Sequence, residues 1–151
     1  MNDEQFTVEN DAVAADVWCP SDPRGLIVLA HGAGSNRESA ILRALSAALV
    51  GRDLAVARID LPYRRDRPKG PPSPSKAARD RDGIRSAVAE LRGVAGGPLV
   101  VGGHSYGGRQ ASMVAAEDPD LFDGLLLTSY PLHPPGKPEK SRTEHLPDIT
   151  A

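Results

Sequence analysis

Leu99-Val100-Val101-Gly102-Gly103-His104-Ser105-Tyr106-Gly107-Gly108 is the stretch whose reading decides the fold. It begins as a short apolar run closed by glycine, the pattern of a buried strand. From about Tyr106 to Glu117 the apolar residues Ala111, Val114 and Ala115 recur at helical spacing, until Asp118-Pro119 ends the pattern. Between strand and helix stands Gly103-His104-Ser105-Tyr106-Gly107, a G-x-S-x-G sequence in the strand-turn-helix setting the motif requires. A serine there occupies a sharp, strained turn that lifts its hydroxyl above the sheet, so the residues two positions to either side must be small. Gly103 and Gly107, with Gly108 behind, meet that demand. The plainer alternative is a tight turn into a helix that Ser105 merely caps.

Upstream, Leu26-Ile27-Val28-Leu29-Ala30 is a second continuous apolar run, and it stops abruptly at His31-Gly32-Ala33-Gly34. Ser35 with Glu38 has the form of a capping box, and Ile41, Leu45, Ala48 and Leu49 are expected to form the inner face of the helix it opens, with Gly51 as its stop. A third run, Leu54 to Ile59, leads into a loop from Asp60 to Ser75 that is too proline-rich for helix or central strand. Ile84, Val88 and Leu91 predict a helix from about Lys76 to Val94, and Gly124 to Ser129 predicts a last strand. Earlier, Ala12 to Trp18 alternates weakly and reads as a strand closed at Pro20-Ser21-Asp22-Pro23. Strands alternating with single helices imply right-handed crossovers and a three-layer α/β/α sandwich with a mostly parallel sheet. At 151 residues one domain, 1–151, is the expectation.

Ligands in such folds bind at the carboxyl ends of the strands, where the unusual residues gather. Ser105 is the candidate nucleophile. The backbone N–H of Tyr106, at a helix N-terminus, can donate to a developing oxyanion, and Ala33 in the glycine-rich loop is the choice for a second donor. That loop could equally be a plain turn into a helix; a phosphate cradle is excluded because no Lys-Ser/Thr pair follows. His31 is read as ordering the loop rather than as a base. Arg64-Arg65-Asp66-Arg67 to Lys69 invites a cationic lid for carboxylate or phosphate substrates, against the blander reading of a solvated loop balanced by Asp66, Asp80 and Asp82.

Together these residues resemble the α/β-hydrolase superfamily, and more closely a small α/β-hydrolase-like family related to dienelactone hydrolases. His31-Gly32-Ala33-Gly34 and Gly103-His104-Ser105-Tyr106-Gly107 carry the superfamily likeness. Pro62-Tyr63-Arg64 and Tyr130-Pro131-Leu132-His133-Pro134-Pro135-Gly136 point to the smaller family. The resemblance implies acyl transfer to water through Ser105, with a small-molecule ester or similar acyl substrate. Dienelactone hydrolases proper use a cysteine at the elbow, so Ser105 withholds their substrate. Relatives of the small family that look non-catalytic supply the competing expectation, a hydrolase-like interaction protein.

In the superfamily an acid and a histidine follow the serine on loops after later strands. Past Ser129 the residues His133, Glu139, Glu144, His145 and Asp148 are interspersed with prolines that leave no room for another strand-helix-strand unit. The fold is therefore expected to lack its last strands, and hydrolysis by this chain to be absent or weak. His133 and His145 are each read as loop residues rather than the base. With its next strand missing, Gly124 to Ser129 is expected to present an open edge for self-association.

Lys and Arg total 18 against 20 Asp and Glu, which gives no electrostatic drive toward nucleic acid or an anionic membrane. No apolar stretch approaches the roughly 18 residues of a membrane span, so a cytoplasmic location is the expectation. Cys19 has no cysteine to pair with and no activating histidine nearby, and is read as structural. No cofactor or metal is expected.

Overall fold

The computed structural model describes residues 3–151. The apolar runs form the centre of a six-stranded sheet. In chain order the strands are β1 (Glu4–Glu9), β2 (Ala14–Cys19), β3 (Leu26–Ala30), β4 (Ala55–Ile59), β5 (Leu99–His104) and β6 (Gly124–Thr128). Their order across the sheet is β1-β2-β4-β3-β5-β6; the β4-β3-β5-β6 part is parallel, and β1 and β2 join it antiparallel. Four helices accompany them: α1 (Ala40–Val50), α2 (Pro62–Asp66), α3 (Ala77–Leu91) and α4 (Tyr106–Glu117).

Every residue of β3 is buried, because helices cover both faces of the sheet. On one face Ile27, Leu29 and Val56 pack with Leu42 and Val50 of α1. On the other, Val28, Ala57, Ile59 and Val101 meet Ile84, Val88 and Leu91 of α3 and Ala111, Val114 and Ala115 of α4. The expected α/β/α layering and mostly parallel sheet are thus observed. β6 lies at one edge of the sheet and β1 at the other.

The structure adds β1 and its hairpin, and it corrects the start of α1 and the reading of the proline-rich loop. The acidic N-terminal stretch contributes β1, whose Phe6 and Val8 pack on the core while the glutamates at its ends stay exposed, as suits an edge strand. It forms a hairpin with β2 that turns at Asn10, where Oδ1 accepts the N–H groups of Ala12 and Val13, and β2 then pairs with β4.

The α1 helix begins later than the Ser35–Glu38 pattern suggests. Ser39 is its N-cap, with Oγ accepting the Leu42 N–H at 3.4 Å. The inner face shifts accordingly to Leu42, Ser46 and Val50, flanked by Leu45 and Leu49, and Ile41 is 40% exposed. The proline-rich loop, finally, contains the short helix α2 and a 3-10 turn at Pro74–Lys76, each with a proline in its first turn, where the missing N–H costs no intrahelical bond.

Candidate active site

β5 hands directly over to α4 through Ser105, whose backbone sits at φ 51°, ψ −115°. A side-chain-bearing residue in that region is strained by about 1–3 kcal/mol, and the surroundings hold it there. The Ser105 N–H donates to Thr128 O at 2.9 Å, and Ser105 O accepts the Arg109 N–H at 2.9 Å. The flanking glycines are required by backbone, not only by flexibility. A Cβ on Gly103 would lie 2.4 Å from Ala30 O, and one on Gly107 would lie 2.5 Å from both Ala30 O and His31 O. The elbow is therefore pressed against the end of β3, which brings the 31–34 loop beside it. Ala33, Ser105 and Tyr106 line one cavity of about 490 Å³.

His31 is fully buried. Its Nε2 accepts the Leu61 N–H at 3.1 Å while Nδ1 lies 3.0 Å from Gly32 O, an arrangement that fits the neutral ring protonated on Nδ1. Burial pushes its pKa below the usual histidine value, against the opposing pull of the Gly32 carbonyl and Asp60. With both nitrogens engaged in backbone contacts, its role in this geometry is to order the loop. His104 turns to Thr128, with Nδ1 3.1 Å from Oγ1, and a Cβ on Gly32 would touch the His104 ring. Gly34 adopts φ 76°.

Two further residues not singled out from sequence as site residues, Tyr63 and Asp80, tie this corner together with Tyr106. The Tyr63 hydroxyl donates to Gly32 O at 3.0 Å, and the Tyr63 N–H donates to Oδ1 of buried Asp80 at 3.0 Å. The Tyr106 hydroxyl donates to the other Asp80 oxygen at 2.6 Å. Burial, then the adjoining Asp80 carboxylate, pushes the Tyr106 phenol far above its ordinary pKa. Asp80 falls on the same helical stripe as Ile84, Val88 and Leu91, and a carboxylate on an apolar stripe was the available signal. Tyr63 falls just after Pro62 in the five-residue helix α2, too short for its burial to be announced by a periodicity.

The arginine run is not a free cationic lid. Arg64 is buried over the Tyr63 ring, with Nε donating to Ser35 O at 2.6 Å and its other nitrogens to Arg67 O and Gly70 O. Arg65 reaches the carbonyls of Asn10 and Asp11, Arg67 that of Pro71, and Asp66 pairs with Arg79. The loop spends these charges on holding itself in place.

Of the two late histidines, His133 lines the Ser105 cavity, with Nδ1 2.8 Å from Pro134 O. His145 instead lies against α4, its Nε2 2.7 Å from Ser112 Oγ. Burial first, and then the charge of Arg109, depresses its pKa. The Cys19 thiol is raised by burial and by the nearby carboxylates of Glu4 and Asp3, which opposes the thiolate that chemistry would need. No helix among the described residues is long and apolar enough to cross a membrane.

Residues 23–151 match the family model described as an alpha/beta hydrolase domain. Among solved structures, a dienelactone hydrolase from Anabaena variabilis aligns with TM-score 0.69 at 21% identity, over 83% of this chain and 62% of its own. An alpha-beta serine hydrolase homologue from Coxiella burnetii aligns with TM-score 0.66 at 15% identity, over 87% of this chain and 65% of its own. A cold-adapted esterase from an Arctic intertidal metagenomic library gives 0.63 at 21%, over 83% and 59%. The chain thus spans less than two thirds of the length of each of these three structures. No curated protein sequence matches it.

Proposed function

The chain belongs to the alpha/beta hydrolase family, and from that membership and the elbow geometry we propose that it is a serine hydrolase acting on an ester or similar acyl bond through Ser105. The observation that carries this reading is the strained φ 51° backbone of Ser105 at the N-terminus of α4, in the same cavity as Ala33. In the proposed reaction the Ser105 hydroxyl attacks the acyl carbon and the alcohol leaves with the serine proton. The Tyr106 and Ala33 N–H groups stabilise the tetrahedral oxyanion, and water then releases the acyl group from Ser105. Each preorganised donor of this kind contributes about 2.7–4 kcal/mol. The His31–Gly32 O–Tyr63 contacts support the idea that the second donor is rigidly held.

A specific observation favours a second reading, an interaction protein that keeps the fold without the chemistry. Among the described residues His31, His104 and His145 have other partners, and His133 faces Pro134 O through Nδ1 with no carboxylate bonded to its ring. A serine without an oriented base is a weak nucleophile. Fluorophosphonate labelling and p-nitrophenyl acetate turnover separate the two, each run on the chain and on Ser105→Ala. Labelling that disappears with Ser105 supports the hydrolase. Labelling that survives the substitution places the nucleophile at another residue, and none at all removes Ser105 as nucleophile and leaves the interaction reading. Ser105-dependent turnover lost in His133→Ala would identify His133 as the base.

A further inference from the structure

We propose that the Ser105 cavity contains a carboxylate-binding subsite formed by Arg109, Gln110 and Arg142, so that the acyl substrate carries a negatively charged group beside the bond attacked. The proposal rests on the hydrolase reading for its substrate but on separate residues for its site. Gln110 is fully buried; its Oε1 accepts from Arg81 at 3.0 Å, yet its Nε2 is buried without any partner. Arg109 Nε is likewise buried and unpartnered. Both residues line the cavity with Ser105, and Arg109 lies one helical turn after it on α4.

Arg142, from the segment that follows β6, lines the same cavity. Its backbone is pinned there, the N–H donating to Leu132 O at 2.8 Å and the carbonyl accepting from the Tyr130 hydroxyl at 2.7 Å. Elsewhere in the molecule most arginines already have acceptors. Arg37 is paired with Asp16 and Asp60, Arg85 with Asp82, Glu117 and Asp118, and Arg64 with three carbonyls. No aspartate or glutamate lines the Ser105 cavity, and its remaining wall is largely proline and alanine.

Two arginines and a buried glutamine with an unpartnered amide nitrogen therefore line one cavity whose wall carries no carboxylate. Buried donors without acceptors are rare and select for a ligand that supplies them. A planar carboxylate matches guanidinium forks and an adjacent amide N–H, and an apolar wall would hold the few methylenes linking that carboxylate to the acyl carbon.

An NMR titration of the chain with glutarate, with its neutral isostere glutaramide and with inorganic phosphate tests this. Glutarate is expected to shift the amides of Ser105, Tyr106, Arg109 and Gln110 saturably, with glutaramide at least about tenfold weaker. Arg109→Met should weaken glutarate by about tenfold or more, and Arg109→Lys, which keeps the charge and the packing stem, should fall between. Equal response to glutarate and glutaramide, no response at all, or saturation by phosphate alone would overturn the carboxylate assignment. Fluorophosphonate labelling reports independently on the hydrolase reading. A chain that is labelled at Ser105 but indifferent to glutarate keeps the hydrolase and loses the subsite; one that binds glutarate unlabelled does the reverse.

Discussion

The hydroxyl of Tyr106 donates a 2.6 Å hydrogen bond to Oδ2 of Asp80, a carboxylate only 1% exposed. Its other oxygen takes the Tyr63 N–H, so one side chain of α3 joins the elbow to the loop after β4. Asp80→Ala would leave a buried N–H and a phenol without acceptors, at a cost of about 3 kcal/mol. Asp80→Asn keeps an oxygen for the Tyr63 N–H and should cost about half as much. In the Asn variant the Tyr106 phenol should also titrate lower, though still above its ordinary value, because burial is the larger cause of its shift. Urea unfolding and ultraviolet titration of the tyrosines check both; equal, small losses in the two variants would mean that the network contributes nothing to stability.

Ser105 and Gly107 should respond to substitution with opposite signs. At φ 51°, ψ −115° glycine relieves strain that serine bears, so Ser105→Gly is expected to stabilise the fold by about 1 kcal/mol after the entropy glycine adds to the unfolded chain. Gly107→Ala would drive a Cβ to 2.5 Å from two backbone carbonyl oxygens, and should destabilise by about 3 kcal/mol. Chemical denaturation of the two variants beside the parent decides this, and a destabilised Ser105→Gly would count against a strained elbow.

Arg64→Lys should loosen the loop that follows α2. A lysine retains charge but cannot hold the Ser35, Arg67 and Gly70 carbonyls together with one planar fork. We expect a stability loss of about 2 kcal/mol and at least tenfold faster hydrogen exchange across residues 67–76. Arg67→Ala, an exposed residue bonded to Pro71 O, should change stability by less than about 0.5 kcal/mol. Similar exchange in both variants would show that Arg64 does not organise the loop.

The layering of the fold was legible because β3, β4 and β5 are largely buried on both faces and so read as apolar runs, interrupted in β4 only by Arg58. The elbow was legible because Gly103 and Gly107 are dictated by backbone contacts, which leave a strict spacing in the sequence. Other features have no such trace. Arg64 looks like a solvated charge in a run of charges, and only its carbonyl partners, up to 29 residues away, reveal it as internal. The orphan donors of Arg109 and Gln110 are equally silent, since helical spacing from Ser105 shows where Arg109 points but not that it lacks an acceptor. The α1 register was missed for a local reason: Asn36 takes the Glu38 N–H in a turn, which delays the helix until Ser39.

The outer edge of β6 should drive self-association of this chain. β6 pairs with β5 on one side, and among the described residues no strand lies on the other. Leu125, Leu126 and Leu127 are only half-buried, and no lysine, proline or bulge interrupts them. The segment after Tyr130 packs on α4 through His145 and Ser112 instead of pairing with this edge. Light scattering after size exclusion should therefore give more than a monomer at tens of micromolar, and Leu126→Lys should reduce it. A monomer throughout that range would refute the open edge as an association surface.

Stability should fall between pH 7.5 and pH 5.5 because of His31. Its Nε2 accepts the Leu61 N–H, and a proton placed there would break that bond and charge a side chain with no exposure. Burial accordingly lowers its pKa, while in the unfolded chain the ring titrates near about 6.5. The unfolded state then takes up a proton that the folded state resists. The contribution is complete above the unfolded value and is lost as the pH falls from there toward the depressed folded one, with a limiting slope of about 1.4 kcal/mol per pH unit for one proton. His145, also lowered, acts in the same direction, whereas the lowered carboxylates of Asp16 and Asp66 act only below about pH 4. His31→Gln offers an amide oxygen to the Leu61 N–H and does not titrate, so its urea midpoint should change less over this interval than that of the parent. Equal pH slopes in parent and variant would mean that His31 is not the group that loses stability as the solution is acidified.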